Sequence, residues 1–429
     1  MENSVKNLIQ FIDHSPSCFH VIENAKKQFL EHGFIQLEEK EHWNLEEGKS
    51  YFVERNGSSM IAFHLPKKDF QGFHIVASHS DSPTYRIKEQ PEMSVEKHYT
   101  KLNIERYGGM IPETWFDRPL SVAGRIIIEE NGQIKDQLVN IDRDLMIIPN
   151  LAIHMSRSSN ESKQLNPQKD LLPLCGGNLT KDGFEEMIAK ESGVEKEDIL
   201  SYDLFLYNRM RGTTLGINEE FVAAPKLDDL ECAYSSIEGM LNAKLSKDYV
   251  TVCAVFDNEE VGSGTKQGAG STFFPEVLKR ISYLCGKNEE EYYMAVADSF
   301  MLSADNAHAV HPNYQDKTDP TNRPYINEGI VLKYNASQKY TTDANSAALV
   351  KYLCKKEKIK CQVFFNRSDM LGGSTLGNIL TGQVSIKAAD IGLPQLSMHS
   401  TYETAGCKDL GDMITLMRSF YELGKEVQI

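Results

Sequence analysis

The sequence has no apolar run approaching the ~18 residues of a membrane-spanning helix. Its N-terminus, MENSVKNLIQFIDHSPS, lacks a basic start followed by an apolar stretch and a small-residue cleavage site, which disfavours a secreted protein. Its eight cysteines form no Cys-x-x-Cys pair, and several lie in apolar runs such as TVCAVF. This pattern is typical of buried thiols in a reducing compartment, so we expect a cytoplasmic protein.

Basic residues are too few to balance the acidic ones. Lys and Arg total 46 against 61 Asp and Glu, a formal net charge of -15 with neutral His. Such a balance repels phosphate backbones and anionic lipids, so we expect no nucleic-acid partner and no membrane partner. The excess of carboxylates has two interpretations: an acidic surface only, or such a surface plus a few carboxylates that hold cations.

The composition that remains is that of an ordinary globular protein, with 41% hydrophobic and 25% charged residues. The 429 residues are about three times the ~150-residue prior for one domain, so more than one domain is expected. Residues 91–222 consist of short β-like pieces such as VAGRIIIEE, which predict a β-rich insert. Residues 1–90 and 223–429 are then expected to form one discontinuous domain around it.

Strands and helices alternate in this discontinuous domain. The apolar and β-branched runs predict strands at 60–65, 73–78, 250–256, 292–297 and 361–366. The amphipathic patterns predict helices at 20–32, 229–243, 274–285, 344–357 and 408–424. Strands separated by helices predict an α/β fold with a mainly parallel sheet covered on both faces. The strand at 73–78 is expected to join this sheet across the insert.

Metal-binding side chains follow several of the predicted strands. The candidates are His79, Asp81, Asp228, Glu259, Glu260, Asp305 and His399. Because ligands of open α/β sheets gather outside the carboxyl ends of the strands, we expect these groups to meet. Two imidazoles and several carboxylates without a thiolate suit zinc, manganese or cobalt.

This inventory fits two ions better than one. A co-catalytic pair of ions, about 3.5–4 Å apart, needs a bridging carboxylate plus roughly one His and one carboxylate for each ion. Asp228 is assigned as the bridge. The first ion takes His79 and Asp305, and the second takes Glu260 and His399.

Two carboxylates remain for supporting roles. Asp81 is two residues from His79, so on an extended chain it can face the same way and orient the imidazole. Glu259 is left over, and a free carboxylate beside metal ions is a general base for hydrolysis. Taken singly, an Asp-Asp pair before a helix is usually an N-cap and a Glu-Glu pair a solvated turn. Their coincidence at predicted strand ends favours a metallohydrolase.

Seven segments also match a known family in order along nearly the whole chain. They are HSDSPTYRIK (79–88), YGGMIPETWFDRPLSVAGR (107–125), IPNLAIHM (148–155), APKLDDL (224–230), FDNEEVGSGTKQGAG (256–270), SADNAHAVHPNY (303–314) and PQLSMHSTYE (394–403). Together they resemble the aspartyl aminopeptidase family, which includes yeast vacuolar aminopeptidase I. The resemblance implies a zinc-peptidase-like catalytic domain with the ligand, orienting and base assignments already made.

The resemblance further implies features that the residues alone do not indicate. His154 would reach into a neighbouring subunit's site and polarise the substrate carbonyl. The insert, residues 91–222, would be a dimerisation domain in a tetrahedral dodecamer built from dimers, whose enclosed interior admits short peptides. Lys333 would pair with an acidic first residue of the substrate, the alternative being a strand residue that points into solvent. Residues 366–377 and 401–403 depart from the family's eukaryotic pattern, which leaves the preferred first residue open.

The predicted function is a co-catalytic two-metal aminopeptidase that removes the N-terminal residue from peptides, with an acidic preference implied by Lys333. The expected cofactors are two divalent ions per subunit, zinc first, with manganese or cobalt as alternatives. The nearest alternative is a two-metal carboxypeptidase or amide deacylase. A nucleotide-binding protein is the alternative from another class, because glycines cluster at 262–270 after a strand, although the GxxxxGK[ST] motif is absent.

Overall fold

The computed structural model describes residues 2–155, 164–178 and 182–427. Within these ranges the α-helices are α1 Glu2–Asp13, α2 Cys18–Glu31, α3 Pro167–Asp170, α4 Gly183–Ser192, α5 Leu227–Leu241, α6 Phe273–Leu284, α7 Glu289–Ala297, α8 Ala344–Glu357, α9 Leu376–Gln383 and α10 Cys407–Tyr421. The strands are β1 Ile35–Leu37, β2 Lys49–Arg55, β3 Ser59–Leu65, β4 Phe73–His79, β5 Thr84–Val95, β6 Tyr99–Tyr107, β7 Leu120–Glu130, β8 Gln133–Asn140, β9 Leu174–Gly176, β10 Ile199–Asn208, β11 Thr213–Leu215, β12 Phe221–Ala224, β13 Val250–Phe256, β14 Phe300–Ala304, β15 Ala307–His308, β16 Ile330–Tyr334, β17 Cys361–Phe365, β18 Lys387–Gly392, β19 Pro394–Leu396 and β20 Glu403–Gly406. Among the described residues, no helix is long and apolar enough to span a membrane.

The largest sheet has nine strands in the order β1-β2-β3-β13-β4-β14-β18-β16-β17 across the described chain. Its central strands β13, β4, β14 and β18 run parallel to one another. The strands that flank this centre, β3 and β16, pair antiparallel with it. The predicted α/β class with a mainly parallel sheet is therefore confirmed, and β4 joins the sheet between β13 and β14 as expected.

Both faces of the central strands are covered. Every residue of β4 is buried, and its side chains alternate between two apolar clusters. Val76 packs with helices α1, α2, α5, α8 and α10 on one face. Ile75 and Ala77 pack with α6, α7 and α9 on the other. Because the central strands are buried on both faces, the residues that directly follow them have well-defined positions.

One predicted element is wrong. Residues 292–297 are not a strand but the last part of helix α7, and the strand that leads to Asp305 is β14. Asn288 and Glu291 form a capping box that starts the helix. Tyr292, Ala295 and Val296 are buried at helical spacing, which agrees with this assignment. The apolar run was short enough to fit either period. The other predicted helices and strands are present within a few residues of their expected bounds.

A second, antiparallel sheet has the order β8-β7-β10-β5-β6-β9 and its own apolar core, which includes Trp115 and Leu204. Its first strand begins at Thr84, ahead of the expected boundary at residue 91. A third sheet, β11-β12-β20-β19-β15, pairs β12 with the C-terminal strand β20. The strands at 213–224 thus belong with the C-terminal part of the chain, and the domain division at 91 and 222 stays a prediction.

Candidate metal centre

Three candidate segments meet at one edge of the large sheet. His79 ends β4 and is the pairing partner of Phe256, the last residue of β13. Glu259 and Glu260 follow β13 in a short 3-10 helix. Asp305 follows β14, and its backbone N–H donates to a carbonyl of β18. The order of the parallel strands therefore places these side chains side by side, as the position of ligand sites in α/β sheets predicts.

Asp228 and His399 come to this edge from outside the sheet. Asp228 lies in the first turn of α5, where its backbone is not helical, with φ -82° and ψ 108°. The Ser82 hydroxyl donates to its carbonyl at 3.0 Å. His399 lies between β19 and β20 with φ 65°, in the left-handed region that few non-glycine residues adopt. Neither conformation is evident from the sequence.

The carboxylate of Asp228 is shared between two groups of potential ligands. One group comprises His79, Asp228, Asp229 and Asp305, and the other comprises Asp228, Glu260 and His399, each with ligand atoms within 4.8 Å of one another. Asp228 Oδ1 lies 3.8 Å from His79 Nε2. Asp228 Oδ2 lies 3.1 Å from His399 Nε2. This carboxylate thus presents one oxygen to each imidazole.

Several buried oxygens at this edge lack hydrogen-bond partners among the described residues. They are Oδ1 of Asp228, Oδ1 of Asp229 and Oε1 of Glu260. Buried polar atoms are nearly always paired, so unpaired oxygens that point into one cluster need a partner of another kind. Hard or borderline cations are suitable partners for carboxylate and imidazole ligands. The donor set fits divalent metal ions.

The electrostatics of the cluster point the same way. Burial raises the pKa of Glu260, and the carboxylate of Asp228 raises it further. Burial also raises the pKa of Glu259 to about 8. Burial lowers the pKa of His79, but the carboxylates of Asp229, Asp81 and Glu259 together outweigh this effect and raise the pKa well above its usual value. Without cations the cluster therefore takes up protons to limit its negative charge, a role that divalent ions would fill.

The carboxylate of Asp81 connects His79 with the following segment. Its Oδ1 lies 3.3 Å from His79 Nδ1 and accepts the backbone N–H of Glu259 at 3.1 Å. Its Oδ2 accepts the backbone N–H of Glu260 at 3.1 Å and the Tyr107 hydroxyl at 2.6 Å. Asp81 is therefore positioned to set the ring orientation of His79 and the location of both glutamates. Tyr107 was not anticipated, because a tyrosine at the end of a strand that alternates polar and apolar residues has no chemical signal of its own.

Lys333 is buried beneath Asp305. Its ammonium donates to the backbone carbonyls of Asp305 at 2.6 Å and Asn306 at 3.3 Å, and it lies 3.7 Å from Asp305 Oδ1. Only 2% of the residue is exposed. The alternative that Lys333 points into solvent is therefore wrong. A role in binding the substrate stays a prediction.

His154 lies apart from these groups, in the exposed segment 151–155. Leu151, Ile153 and Met155 in this segment expose 53%, 47% and 77% of their surfaces. Among the described residues, the groups able to hold a metal do not include His154. Exposed apolar side chains that lie close together are typical of a surface that contacts another molecule.

Glu403 is a further residue that the sequence reasoning did not assign. Its Oε2 accepts the backbone N–H of Asp228 at 3.0 Å, and its Oε1 accepts the backbone N–H of His399 at 2.6 Å. The only sequence signal was its place in the segment PQLSMHSTYE, four residues after His399. A backbone contact of this kind depends on the tertiary fold and leaves no spacing pattern.

The chain is similar to known proteins over nearly its whole length. Residues 11–421 match the family described as aminopeptidase I zinc metalloprotease (M18). The probable M18 family aminopeptidase 2 of Clostridium acetobutylicum is 45% identical over 431 residues, covering 97% of this chain and 98% of that protein. A chain of the Ape4 and Nbr1 complex superposes with a TM-score of 0.95 at 36% identity, covering 98% of this chain and 85% of that chain. The S. cerevisiae mApe1 dodecamer matches with a TM-score of 0.86 at 27% identity, covering 98% and 97%.

Proposed function

Because the chain belongs to the M18 family of zinc metalloproteases and is a metalloaminopeptidase, we propose that it removes the N-terminal residue from short peptides at a centre of two divalent ions. The observation that carries this proposal is the Asp228 carboxylate, which presents one oxygen to each of two imidazoles. A bridging carboxylate is the feature that a pair of ions requires and a single ion does not.

The proposed ligands follow from these groups. His79 and Asp305 hold the first ion, and Glu260 and His399 hold the second. Asp229 is close enough to be a ligand, but its Oδ2 accepts the backbone N–H of His79 at 3.1 Å, which gives it a supporting role. Zinc is proposed at both positions because the family is one of zinc metalloproteases. Manganese and cobalt are the alternatives that the same ligands accept.

In the proposed mechanism the ions, when bound, polarise the peptide carbonyl and lower the pKa of water. Glu259 removes the proton from the attacking water and returns it to the leaving amine. Asp81 keeps Glu259 in place by accepting the backbone N–H of Glu259, and it orients the imidazole of His79. His154 from another subunit donates to the carbonyl oxygen as negative charge develops on it.

A homo-oligomer follows from the role of His154. Its segment is exposed in the single chain, and the mApe1 structure of S. cerevisiae is a dodecamer. We propose that the antiparallel sheet formed by β5–β10 is the dimerisation unit and that the dimers assemble into a dodecamer. The cytoplasmic location expected from the sequence stays a prediction.

Replacing His154 by Phe should leave the metal centre intact and lower turnover by about 10²–10³-fold, the usual cost of losing one donor to a developing oxyanion. The measurement is kcat on an unblocked aminoacyl substrate, with metal content and oligomer mass determined on the same sample. His98→Phe is the matched control, because His98 is an exposed histidine in the turn between β5 and β6. Unchanged turnover in His154→Phe, with the assembly intact, would remove His154 from the mechanism.

The acidic preference is proposed from the buried charge of Lys333. Lys333→Met should lower turnover on all substrates by roughly 10–100-fold, because Asp305 loses a supporting contact. If the ammonium also pairs with an acidic first residue, N-terminal Asp should lose about tenfold more than N-terminal Leu. Lys360→Met, at an exposed ion pair, is the control. An equal loss on both substrates would exclude Lys333 from specificity.

The proposed function is tested by comparing free and blocked N-termini. An aminopeptidase releases the first residue of an unblocked peptide and leaves the N-acetylated peptide intact. Cleavage of the acetylated peptide would instead support a carboxypeptidase or amide deacylase.

The nucleotide-binding alternative is disfavoured because Gly262, Gly268 and Gly270 donate their backbone N–H groups to carbonyls within their own segment. A bound phosphate would need these N–H groups as donors.

A further inference from the structure

Glu403 connects the backbones of two residues that are distant in the sequence. Its side chain is buried, with 2% of the residue exposed, and both carboxylate oxygens accept backbone N–H groups. The donors are Asp228 at 3.0 Å and His399 at 2.6 Å. In the proposed centre these two residues are the bridge and a ligand of the second ion. Among the described residues, the groups of potential metal ligands do not include Glu403.

Glu403 is itself firmly placed. It begins β20, where it pairs with Ala224 at the end of β12, the strand that leads into Asp228. The backbone carbonyl of His399 is also restrained, because it accepts the backbone N–H of Ile111 at 3.0 Å. His399 has a left-handed backbone, which a non-glycine residue adopts only when its surroundings hold it there. The carboxylate of Glu403 supplies one of those restraints.

We propose that Glu403 is a positioning residue for the second ion. By accepting both backbone N–H groups, it sets the separation between Asp228 Oδ2 and His399 Nε2, which is 3.1 Å in the structure. This inference rests on the proposed ligand assignment and deepens it. It assigns to one carboxylate the task of bringing together ligands from α5 and from the segment before β20.

Replacing Glu403 by Gln tests whether the two acceptor oxygens position the ligands or whether the side chain only fills space. Glutamine has nearly the same shape, but only one of its two terminal atoms is an acceptor. One of the two backbone N–H groups would then face an NH₂ group, and the corresponding ligand would shift. We expect the second zinc ion to bind roughly 10–100-fold more weakly, the usual effect of losing a residue that orients a metal ligand.

Asp409 provides a matched control elsewhere in the fold. It is fully buried and also accepts two backbone N–H groups, from Asn327 at 2.6 Å and Gly329 at 2.8 Å. Neither donor is a proposed ligand. Asp409→Asn should therefore lower the unfolding temperature as Glu403→Gln does, while both zinc ions keep the affinity they have in the unchanged protein.

The experiment measures zinc affinity by competition with a chromophoric chelator, together with thermal unfolding, for the unchanged protein and both variants. Wild-type zinc affinity in Glu403→Gln would overturn the proposal. An equal loss of zinc in Asp409→Asn would overturn it as well, since the effect would then follow from general destabilisation. Turnover of an unblocked peptide by the unchanged protein is measured separately, so a failure of the proposed function is seen there and leaves the zinc result to decide on Glu403.

If Glu403→Gln does not fold, hydrogen exchange of the unchanged protein decides. After zinc is removed with a chelator, the peptides that contain Asp228 and His399 should retain protected backbone amides, because the Glu403 carboxylate accepts these N–H groups whether or not zinc is bound. Exchange of both amides as fast as in an exposed loop on zinc removal would overturn the proposal.

Discussion

Glu259→Gln should lower peptide turnover by about 10²–10⁴-fold, the usual contribution of a general base, with both ions still bound. Glutamine keeps the shape of the side chain but cannot take up a proton. The backbone N–H of Glu259 donates to Asp81 at 3.1 Å, a contact that the substitution does not touch. The measurement is kcat on an unblocked peptide, with metal content and unfolding temperature on the same preparation.

A suitable control for this variant is Glu54→Gln. Glu54 is a largely buried glutamate on β2, paired with Lys26 at 3.2 Å and remote in sequence from every proposed ligand. Its replacement should leave turnover near the wild-type value. Full activity in Glu259→Gln would disprove the base assignment. Loss of metal together with activity would show that Glu259 is a ligand.

Removal of the ions by a chelator should abolish turnover and lower the unfolding temperature. Ions that bind only the folded chain stabilise it by about 2.7 kcal/mol at a hundred times their dissociation constant. For a large domain this corresponds to roughly 5 °C or more. Added zinc should restore both properties. Undiminished turnover in a preparation shown to be free of metal would contradict the proposed mechanism.

The stability of the metal-free protein should also depend on pH in a defined direction. Burial raises the pKa of Glu259 from its usual 4.5 to about 8, so between these values the folded chain binds a proton that the unfolded chain has lost. Glu231, also buried, is raised to about 8. Folding is therefore favoured towards the acid side of this window, and the metal-free protein should unfold at a higher temperature at pH 6 than at pH 8. The opposite order in thermal unfolding would show that these groups are ionised in the metal-free fold.

Much of the fold was predictable because its elements have strong local patterns. The buried run at 250–256 and the run at 73–78 are short, apolar and followed by polar residues, and both form adjacent parallel strands. The error at 292–297 arose where a capped helix carries a similar apolar run. The strand order of the antiparallel sheet was not predictable, because strand pairing depends on contacts between distant residues.

For the candidate site, the sequence alone determined which side chains are available: imidazoles and carboxylates that follow strands, whose carboxyl ends must share an edge. It did not determine how they are joined. Only the tertiary structure places Asp228 between two imidazoles, buries Lys333 beneath Asp305 and lets Glu403 accept the backbone N–H groups of Asp228 and His399. The physical reason is that strand ends follow from local periodicity, whereas these contacts join loops and helix termini far apart in the chain, whose backbone angles no local pattern specifies.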